Sequence, residues 1–404
     1  MYDFAIVGGG IIGLSTGIAL TKRFPNAKIL VLEKELEWAA HQTKHNSGVI
    51  HSGIYYKPGS FKAKFARDGS KSMIEFCQEH GIEHEICGKV IVATKKEEVP
   101  LLNNLYARGL ANGLEISKIR SEELFEIEPH VNGLVAIRVP MAGIVNYKQV
   151  SNKFASIIVQ NGGDLRLGIK VSKIMETSTG VEIETSNGSF LASFLINCAG
   201  LQSDRVAQSG GMKTDMKIIP FRGEYYQLKP EKQHLVKHLI YPVPNPNFPF
   251  LGVHFTRMIG GHVEAGPNAV LSFKREGYHK TDFNLKDFTE VLAYPGFWKI
   301  AAKYWKEGME EMVRSFSKKA FVRSLQQLIP EIQAEDLEVA PAGIRAQALK
   351  ADGTLVDDFH LIEGKNCIHV CNAPSPAATA SIQIGKAIAD RVPESIVGKV
   401  YSIS

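Results

Sequence analysis

Cysteine is scarce in this 404-residue chain: Cys77, Cys87, Cys198, Cys367 and Cys371 form an odd, scattered set of five without a C-x-x-C pair. Neither a zinc site nor a disulfide framework is indicated, so no metal is expected. Cys367 and Cys371 bracket an expected strand, which sets their side chains about 13 Å apart at about 3.3 Å per residue. They read as reduced core thiols. Long apolar runs are also missing, and no stretch of about 18 residues could span a bilayer. A strand pattern beginning at Tyr2 leaves no room for a signal peptide. The expectation is a cytoplasmic protein, with peripheral contact on the inner face of a membrane as the remaining membrane role. Charge of one sign is lacking too, with 47 basic against 42 acidic residues and a net charge of +5. No basic stripe marks a nucleic-acid partner, whereas an anionic substrate or an anionic membrane surface fits. Repeats and low-complexity segments are absent, and the 44% hydrophobic, 22% charged composition is that of an ordinary globular protein. The length predicts about two to three domain-sized units.

What is present is concentrated at the start. Tyr2 to Val7 is a short apolar strand pattern, Gly8, Gly10 and Gly13 form G-x-G-x-x-G, Ile11 to Leu20 carries a helix, and Ile29 to Leu32 a second strand. Glu33 follows, twenty residues beyond Gly13. A strand–turn–helix setting with an acid at this spacing is the dinucleotide fingerprint. Gly8 permits the tight turn, Gly10 lets backbone N–H groups approach a pyrophosphate, and Gly13 lets helix and strand pack closely. Glu33 would accept ribose hydroxyls and repel a 2′-phosphate, which disfavours NADP. The fingerprint alone leaves NAD and FAD open.

Further along, residues 39–60 form an irregular loop rich in Gly, His, Ser and Tyr, of the kind that carries function. Helices are expected at 61–80, 97–112 and 148–160, strands at 89–93, around 169–174 and 181–185, and at 194–198. From Pro220 to Gly266 the pattern turns strand-rich with Pro242, Pro244, Pro246 and Pro249; residues 284–330 read as helical and aromatic, and 367–391 as strand, loop and helix. This predicts a discontinuous layout: a nucleotide domain from 1–88, 145–218 and 333–404, and a second, sheet-based domain from 89–144 and 219–332.

Four elements beyond the fingerprint point to chemistry. His45-Asn46-Ser47-Gly48 and His51-Ser52-Gly53 offer small residues for approach to a flat ring and polar groups for its edge. Asn197-Cys198-Ala199-Gly200 ends an apolar strand in a small-residue turn. In Pro341-Ala342-Gly343-Ile344-Arg345 an arginine follows a glycine turn, and its planar fork suits bidentate carboxylate recognition. Asn372 to Thr379 leads into SIQIGKAIAD, whose helix N-terminus presents free N–H groups and partial positive charge. Aimed at the N1/O2 edge of a reduced flavin it would stabilise negative charge, a role that NAD does not require.

In this order, HQTKHNSGVIHSGIYYKPGS (41–60), PFRGEYYQLKPE (220–231), YPVPNPNFPFLGVHFTR (241–257), GPNAVLSFKREGY (266–278), PAGIRAQALKADGTLVDDF (341–359) and NAPSPAATASI (372–382) resemble the D-amino-acid-oxidase-like superfamily of FAD enzymes. More narrowly they resemble its L-2-hydroxyglutarate dehydrogenases and oxidases. Lys44 departs from the pattern, where glycine is expected. The resemblance implies an α/β fold with a Rossmann-like FAD-binding domain and a mixed-sheet substrate domain. It implies FAD held by Gly8, Gly10, Ile12, Gly13, Glu33, Lys34, Gln42, Thr43, Asn46, Ser47, Gly48, Val171, Ala199, Gly200, Gly343, Arg345, Pro374, Ser375 and Ala377. It further implies oxidation of L-2-hydroxyglutarate to 2-oxoglutarate, with electrons passed to a quinone or oxygen.

For that reaction Arg345 would clamp the C1 carboxylate, and His254 first, His51 second, would take the hydroxyl proton. Tyr56, Arg222, Tyr225, Arg257 and Lys274 are the candidates for the distal carboxylate of this small dicarboxylate. His41 and His45 are near enough for covalent flavin attachment to be considered. The rivals are an FAD oxidase of an amino or imino acid (glycine or sarcosine type) and a flavin protein without turnover. Finally, Phe297, Ala301 and Tyr304 share one helical stripe and Trp298, Ala302, Trp305 and Met309 another, with Lys299, Lys303, Lys306, Lys318 and Lys319 among them. Such stripes usually face a core; the sharper expectation is a membrane-surface patch near quinone.

Overall fold

The computed structural model describes residues 1–245 and 250–397; Pro246 and Pro249 lie outside them. The apolar runs FAIV and ILVL form the parallel strands Tyr2–Val7 and Ile29–Leu32. Continuous apolar sequence of this kind belongs in a sheet covered on both faces. Tyr2–Val7 also pairs in parallel with the long strand Gly188–Asn197, whose far edge holds Val181–Thr185 antiparallel and Cys367–Asn372 parallel. Asp164–Arg166 closes the other edge beside Ile29–Leu32, and Val171–Glu176 and His360–Glu363 complete eight strands. Strand alternation divides the core: Phe4 and Ile6 face the helices with Leu14, Leu20, Phe154 and Ile384, while Ala5 and Val7 face Leu30, Ile174 and Ile183.

The second sheet has nine strands, in the order Val270–Leu271, Met216–Leu228, Val263–Gly266, His254–Arg257, Leu239–Pro242, Lys89–Ala93, Val135–Val139 and Ser117–Arg120, with Leu337–Lys350 paired to Met216–Leu228. That last pair is an antiparallel ladder running from Met216 opposite Lys350 to Leu228 opposite Leu337. Leu337–Lys350 therefore belongs to the second sheet although it falls within 333–404, and Met216–Leu228 starts ahead of residue 219. A three-stranded sheet of Val49–Ile50, Gly143–Val145 and His84–Glu85 lies in the remaining chain.

The ladder corrects one local expectation. Pro341 to Arg345 lie inside a strand, not after a turn. Proline is tolerated because its own strand bulges there, Pro341 and Ala342 facing the single residue Glu224 between the pairs Gly223–Gly343 and Tyr225–Ala340. The helical region 285–325 divides the two aromatic stripes. Phe297 and Tyr304 pack with Ile300 and Val291, whereas Trp298 and Trp305 are 57% and 61% exposed. The second stripe is thus a surface and not a core. All five cysteines are unpaired, and four are buried.

Helix Ile11–Arg23 packs against Ser381–Ala389 through Gly385, where an added Cβ would lie 2.6 Å from the Ser15 carbonyl. This contact brings the two helix starts of the sequence reading to one side of the sheet. Gly385→Val is expected to force the helices apart at a cost of about 1–3 kcal/mol, read by urea unfolding. Unchanged stability would show that the helices are not locked at this point.

Candidate active site

The fingerprint glycines do separable work. Gly8 turns the chain at φ +109°, and a Cβ there would lie 2.5 Å from the Cys198 carbonyl oxygen. Gly13 faces the Gly8 carbonyl, where a Cβ would come to 2.0 Å. Gly10 is different: an added Cβ would meet only Thr43 Oγ1, at 3.5 Å, because this residue opens onto a cavity. The helix behind it has Gly10 as its N-cap and no acid in its first turn. Thr43 Oγ1 accepts the Ile11 amide at 3.1 Å, and no acid of the helix itself offsets the N-terminal charge that faces the cavity, as an anionic pyrophosphate requires. Glu33 accepts hydrogen bonds from the amides of Gly9 at 2.7 Å and Glu35 at 2.9 Å. An ionised carboxylate has about four acceptor sites, so it keeps capacity for ribose hydroxyls.

The cavity is about 910 Å³ and is lined by Gly8, Gly10, Ile12, Glu33, Lys34, Gln42, Thr43, Asn46, Ser47, Val171, Ala199, Gly200, Ser375 and Ala377 among the expected residues. Gly13, Gly48, Gly343, Pro374 and Arg345 do not line it. Gly13 packs helix to strand, and Gly48, at φ +63°, takes Asn46 Oδ1 on its amide at 2.8 Å and serves the loop's own backbone. Gly343 has a structural task, since a Cβ there would lie 2.7 Å from the His45 carbonyl oxygen. The Lys34 ammonium lines the cavity but is held by Glu35, Glu276 and His41. His41 lines the cavity too, while His45 is tilted against Tyr278 at 4.4 Å and does not.

At the far end lies the start of Ser381–Ala389. Thr379 precedes it, and its Oγ1 accepts the His51 amide at 3.1 Å and donates to the Val49 carbonyl at 3.1 Å. The Tyr147 hydroxyl lies 2.9 Å from the same oxygen. Tyr147 was not singled out by sequence reasoning, and Thr379 only as the end of the Asn372–Thr379 segment, yet they tie the His51 loop to the C-terminal helix. Both are plain core residues by pattern, and only the pairing reveals the task.

His51, which lines that cavity, also borders a cluster of polar side chains on the second sheet. His254, Arg345, Tyr56 and Tyr225 from the expected set gather there, with Lys89, Tyr55 and Tyr241 added by the fold. Arg345 is accessible, yet surrounding protein desolvates it and lowers its pKa. Its guanidinium lies 5.0 Å over the Phe250 ring and has no carboxylate partner among the described residues. His254 stacks on Tyr241 at 3.9 Å and its Nδ1 lies 2.8 Å from the Gly252 carbonyl oxygen. A carbonyl only accepts, so Nδ1 carries the proton and Nε2 presents a lone pair. Burial pushes the His254 pKa down to about 3, helped by the Lys89 and Arg345 charges, and burial also holds His51 well below its ordinary value.

Three expected residues are not brought there. Arg222 is buried against Glu224 at 2.9 Å. Arg257 reaches Glu85 at 3.3 Å and the Lys237 carbonyl at 3.3 Å. Lys274 lies in a turn closed by the Gly277 amide on its carbonyl at 3.1 Å, with no recorded contact to Arg345 or His254 among the described residues. Each was chosen by residue type, and local ion pairing or turn geometry claims it.

A Rossmann-like sheet, an open helix start over a long cavity and a cluster of histidines, tyrosines and cations beside it fit a dinucleotide-dependent oxidoreductase. The chain belongs to the FAD dependent oxidoreductase family, whose profile matches residues 3–391, and within it to the L-2-hydroxyglutarate dehydrogenase family. It is 56% identical over 391 residues to the L-2-hydroxyglutarate dehydrogenase of Indibacter alkaliphilus, covering 96% of this chain and 98% of that protein. To the mitochondrial L-2-hydroxyglutarate dehydrogenase of Homo sapiens it is 46% identical over 409 residues, covering 97% and 88%. Among solved structures it resembles FAD-bound L-alpha-glycerophosphate oxidase from Mycoplasma pneumoniae, with a TM-score of 0.79 at 20% identity over 97% of this chain and 95% of that one. Glycine oxidase from Geobacillus kaustophilus gives 0.72 at 20% identity over 96% and 94%. These two likenesses establish the fold, and with it the α/β class read from the sequence. FAD is the cofactor, and the open Gly10 cradle, the acid-free helix start and Glu33 fit its ADP half.

The buried histidines have a consequence for stability. Unfolded, they protonate near pH 6.5; folded, they stay neutral well below it. The unfolded chain binds more protons in that window, so stability rises with pH across it. His254→Gln should flatten the fall in unfolding free energy from about pH 6.5 to about pH 4.5, measured by urea titration. Equal slopes in parent and variant would mean that the imidazole is protonated in the fold.

Proposed function

We propose that this protein oxidises L-2-hydroxyglutarate to 2-oxoglutarate. The observation that carries the reading is 56% identity, over nearly the whole of both chains, to a dehydrogenase named for that acid. The cluster explains how the chain's residues would serve it. Arg345, accessible and free of carboxylate partners, clamps the C1 carboxylate in a bidentate pair and so orients C2. His254 Nε2 accepts the C2 hydroxyl proton as the C2 hydrogen leaves. The substrate carboxylates offset the Lys89 and Arg345 charges that depress this imidazole, which makes it a better base when substrate is bound. His51, held through its amide by Thr379, stands as the second base candidate. Bound FAD supplies the hydride acceptor at flavin N5.

The rivals, an oxidase of glycine or sarcosine type and a flavin protein without turnover, are separated by one experiment. Anaerobic addition of L-2-hydroxyglutarate should bleach the flavin absorbance, and the D isomer should not. Bleaching by glycine or sarcosine instead, or by nothing, would sink the assignment.

Electrons then pass to a quinone or to oxygen, and the surface favours the former. Trp298, Trp305, Met309 and Phe316 are exposed beside Lys299, Lys303 and Lys306. Apolar rings flanked by lysines suit the interface of an anionic membrane. No described helix is long and apolar enough to cross a membrane, so the contact would be peripheral, on the inner face for a cytoplasmic protein. Co-sedimentation with phosphatidylglycerol vesicles is expected, and should be lost in a Trp298→Ala/Trp305→Ala double variant. Equal sedimentation of parent and variant would remove this patch from consideration.

A further inference from the structure

Lys89 is the cation that sequence reasoning passed over. It opens the strand Lys89–Ala93, all five residues of which are buried, and it is itself only 2% exposed. The strand runs parallel to Leu239–Pro242 with Lys89 opposite Leu239. Side chains two apart share a face, so Tyr241 is the diagonal neighbour, and Lys89 Nζ lies 3.9 Å from the centre of its ring. Tyr55 offers a second ring at 5.5 Å. Among the described residues no ion pair or hydrogen bond of Nζ is recorded beside these two ring contacts. Burial without a counter-ion pushes the ammonium down to about 7, the Cys87 sulfur being the sole influence in the other direction.

A buried cation with no carboxylate costs folding free energy and is retained where a ligand supplies the missing charge. The surroundings locate that ligand. The Lys89 charge acts on both His51 and His254, and Arg345 acts on His254 from elsewhere in the cluster. The ring of Tyr241 lies under Nζ and is also the ring on which the His254 imidazole stacks at 3.9 Å. One cluster thus holds a neutral base and two cations that lack acidic partners. The buried Tyr55 hydroxyl has no partner either. Of the other candidate cations, Lys62 has Asp357 and Asp358 acting on it, and Arg222 and Arg257, which lie elsewhere, are paired to glutamates.

We propose that Lys89 is the seat of the substrate's distal carboxylate and, with Arg345 at the other end, makes the site selective for dicarboxylates. This rests on the 2-hydroxy dicarboxylate reading above, but its test does not depend on turnover. Glutarate and butyrate differ in the distal carboxylate and neither has a hydroxyl to oxidise. Their binding to the FAD-loaded enzyme can be followed by perturbation of the flavin spectrum. The parent should prefer glutarate, and Lys89→Met should weaken glutarate by about 10- to 100-fold with butyrate unchanged. Lys89→Arg should recover part of the preference. A parent without preference, or a Lys89→Met variant that keeps it, would overturn the proposal. So would flavin loss or a clearly lowered melting temperature in Lys89→Met, since removing an unpaired buried charge should not destabilise the fold. Failure of L-2-hydroxyglutarate to bleach the parent flavin, with glutarate preference intact and Lys89-dependent, would instead overturn only the substrate reading.

Discussion

The packing of Gly343 against the His45 carbonyl is the constraint on which the site depends. His45 belongs to the loop that leaves the nucleotide-binding sheet, and Gly343 to the strand Leu337–Lys350 of the second sheet. A side chain at 343 would lie 2.7 Å from that carbonyl, so only glycine lets the two backbones meet. Two residues on, Arg345 is carried into the cluster by the same strand, in a ladder with Met216–Leu228 that fixes its register. A slip of one residue would turn it to the opposite face. The position of Arg345 is therefore set by a backbone contact, far from the fingerprint in sequence and independent of it.

Electrostatics explains why the cluster is built of unpaired charges. Arg345 and Lys89 are each desolvated without a carboxylate among the described residues, and both push their own or neighbouring pKa values down. Elsewhere the chain pairs its buried ions: Arg275 is held by Asp204, and Arg222 by Glu224. Leaving one partner out of a buried pair is strongly destabilising. The contrast within one molecule sets Lys89 and Arg345 apart from the paired cations and supports the proposed anion site.

The fingerprint was legible because its physics is local. A strand, three glycines and an acid at fixed spacing need no tertiary information, and Glu33, Gly8 and Gly10 stand where the spacing put them. Arg345 was singled out by residue type, and its supposed turn is a strand with a bulge at Pro341 and Ala342. Lys89 was not, since its task arises from a parallel pairing with Leu239–Pro242, about 150 residues away. One signal was available: a lysine opening a run of valine, isoleucine and alanine that must be buried on both faces. Arg222, Arg257 and Lys274 stand apart for the converse reason, because residue type says nothing about which cation a neighbouring glutamate or turn already holds. The tryptophan stripe stayed open between core and surface because periodicity shows that a helix has two faces but not which one the fold covers.

The division of labour between the sheets also accounts for the pattern of likeness. Structures only 20% identical keep the fold across nearly the whole chain while their names give different substrates. The nucleotide sheet holds its cavity through glycine spacing and backbone amides, which tolerate wide exchange of the residues between. The second sheet presents its chemistry through side chains: Lys89, Tyr241, His254 and Arg345 lie on four strands of one sheet. Changing a ligand there requires only exchange of inward-facing side chains on a retained ladder, with the register and the cofactor cavity left alone. Selectivity can thus move between relatives without the fold having to be solved again.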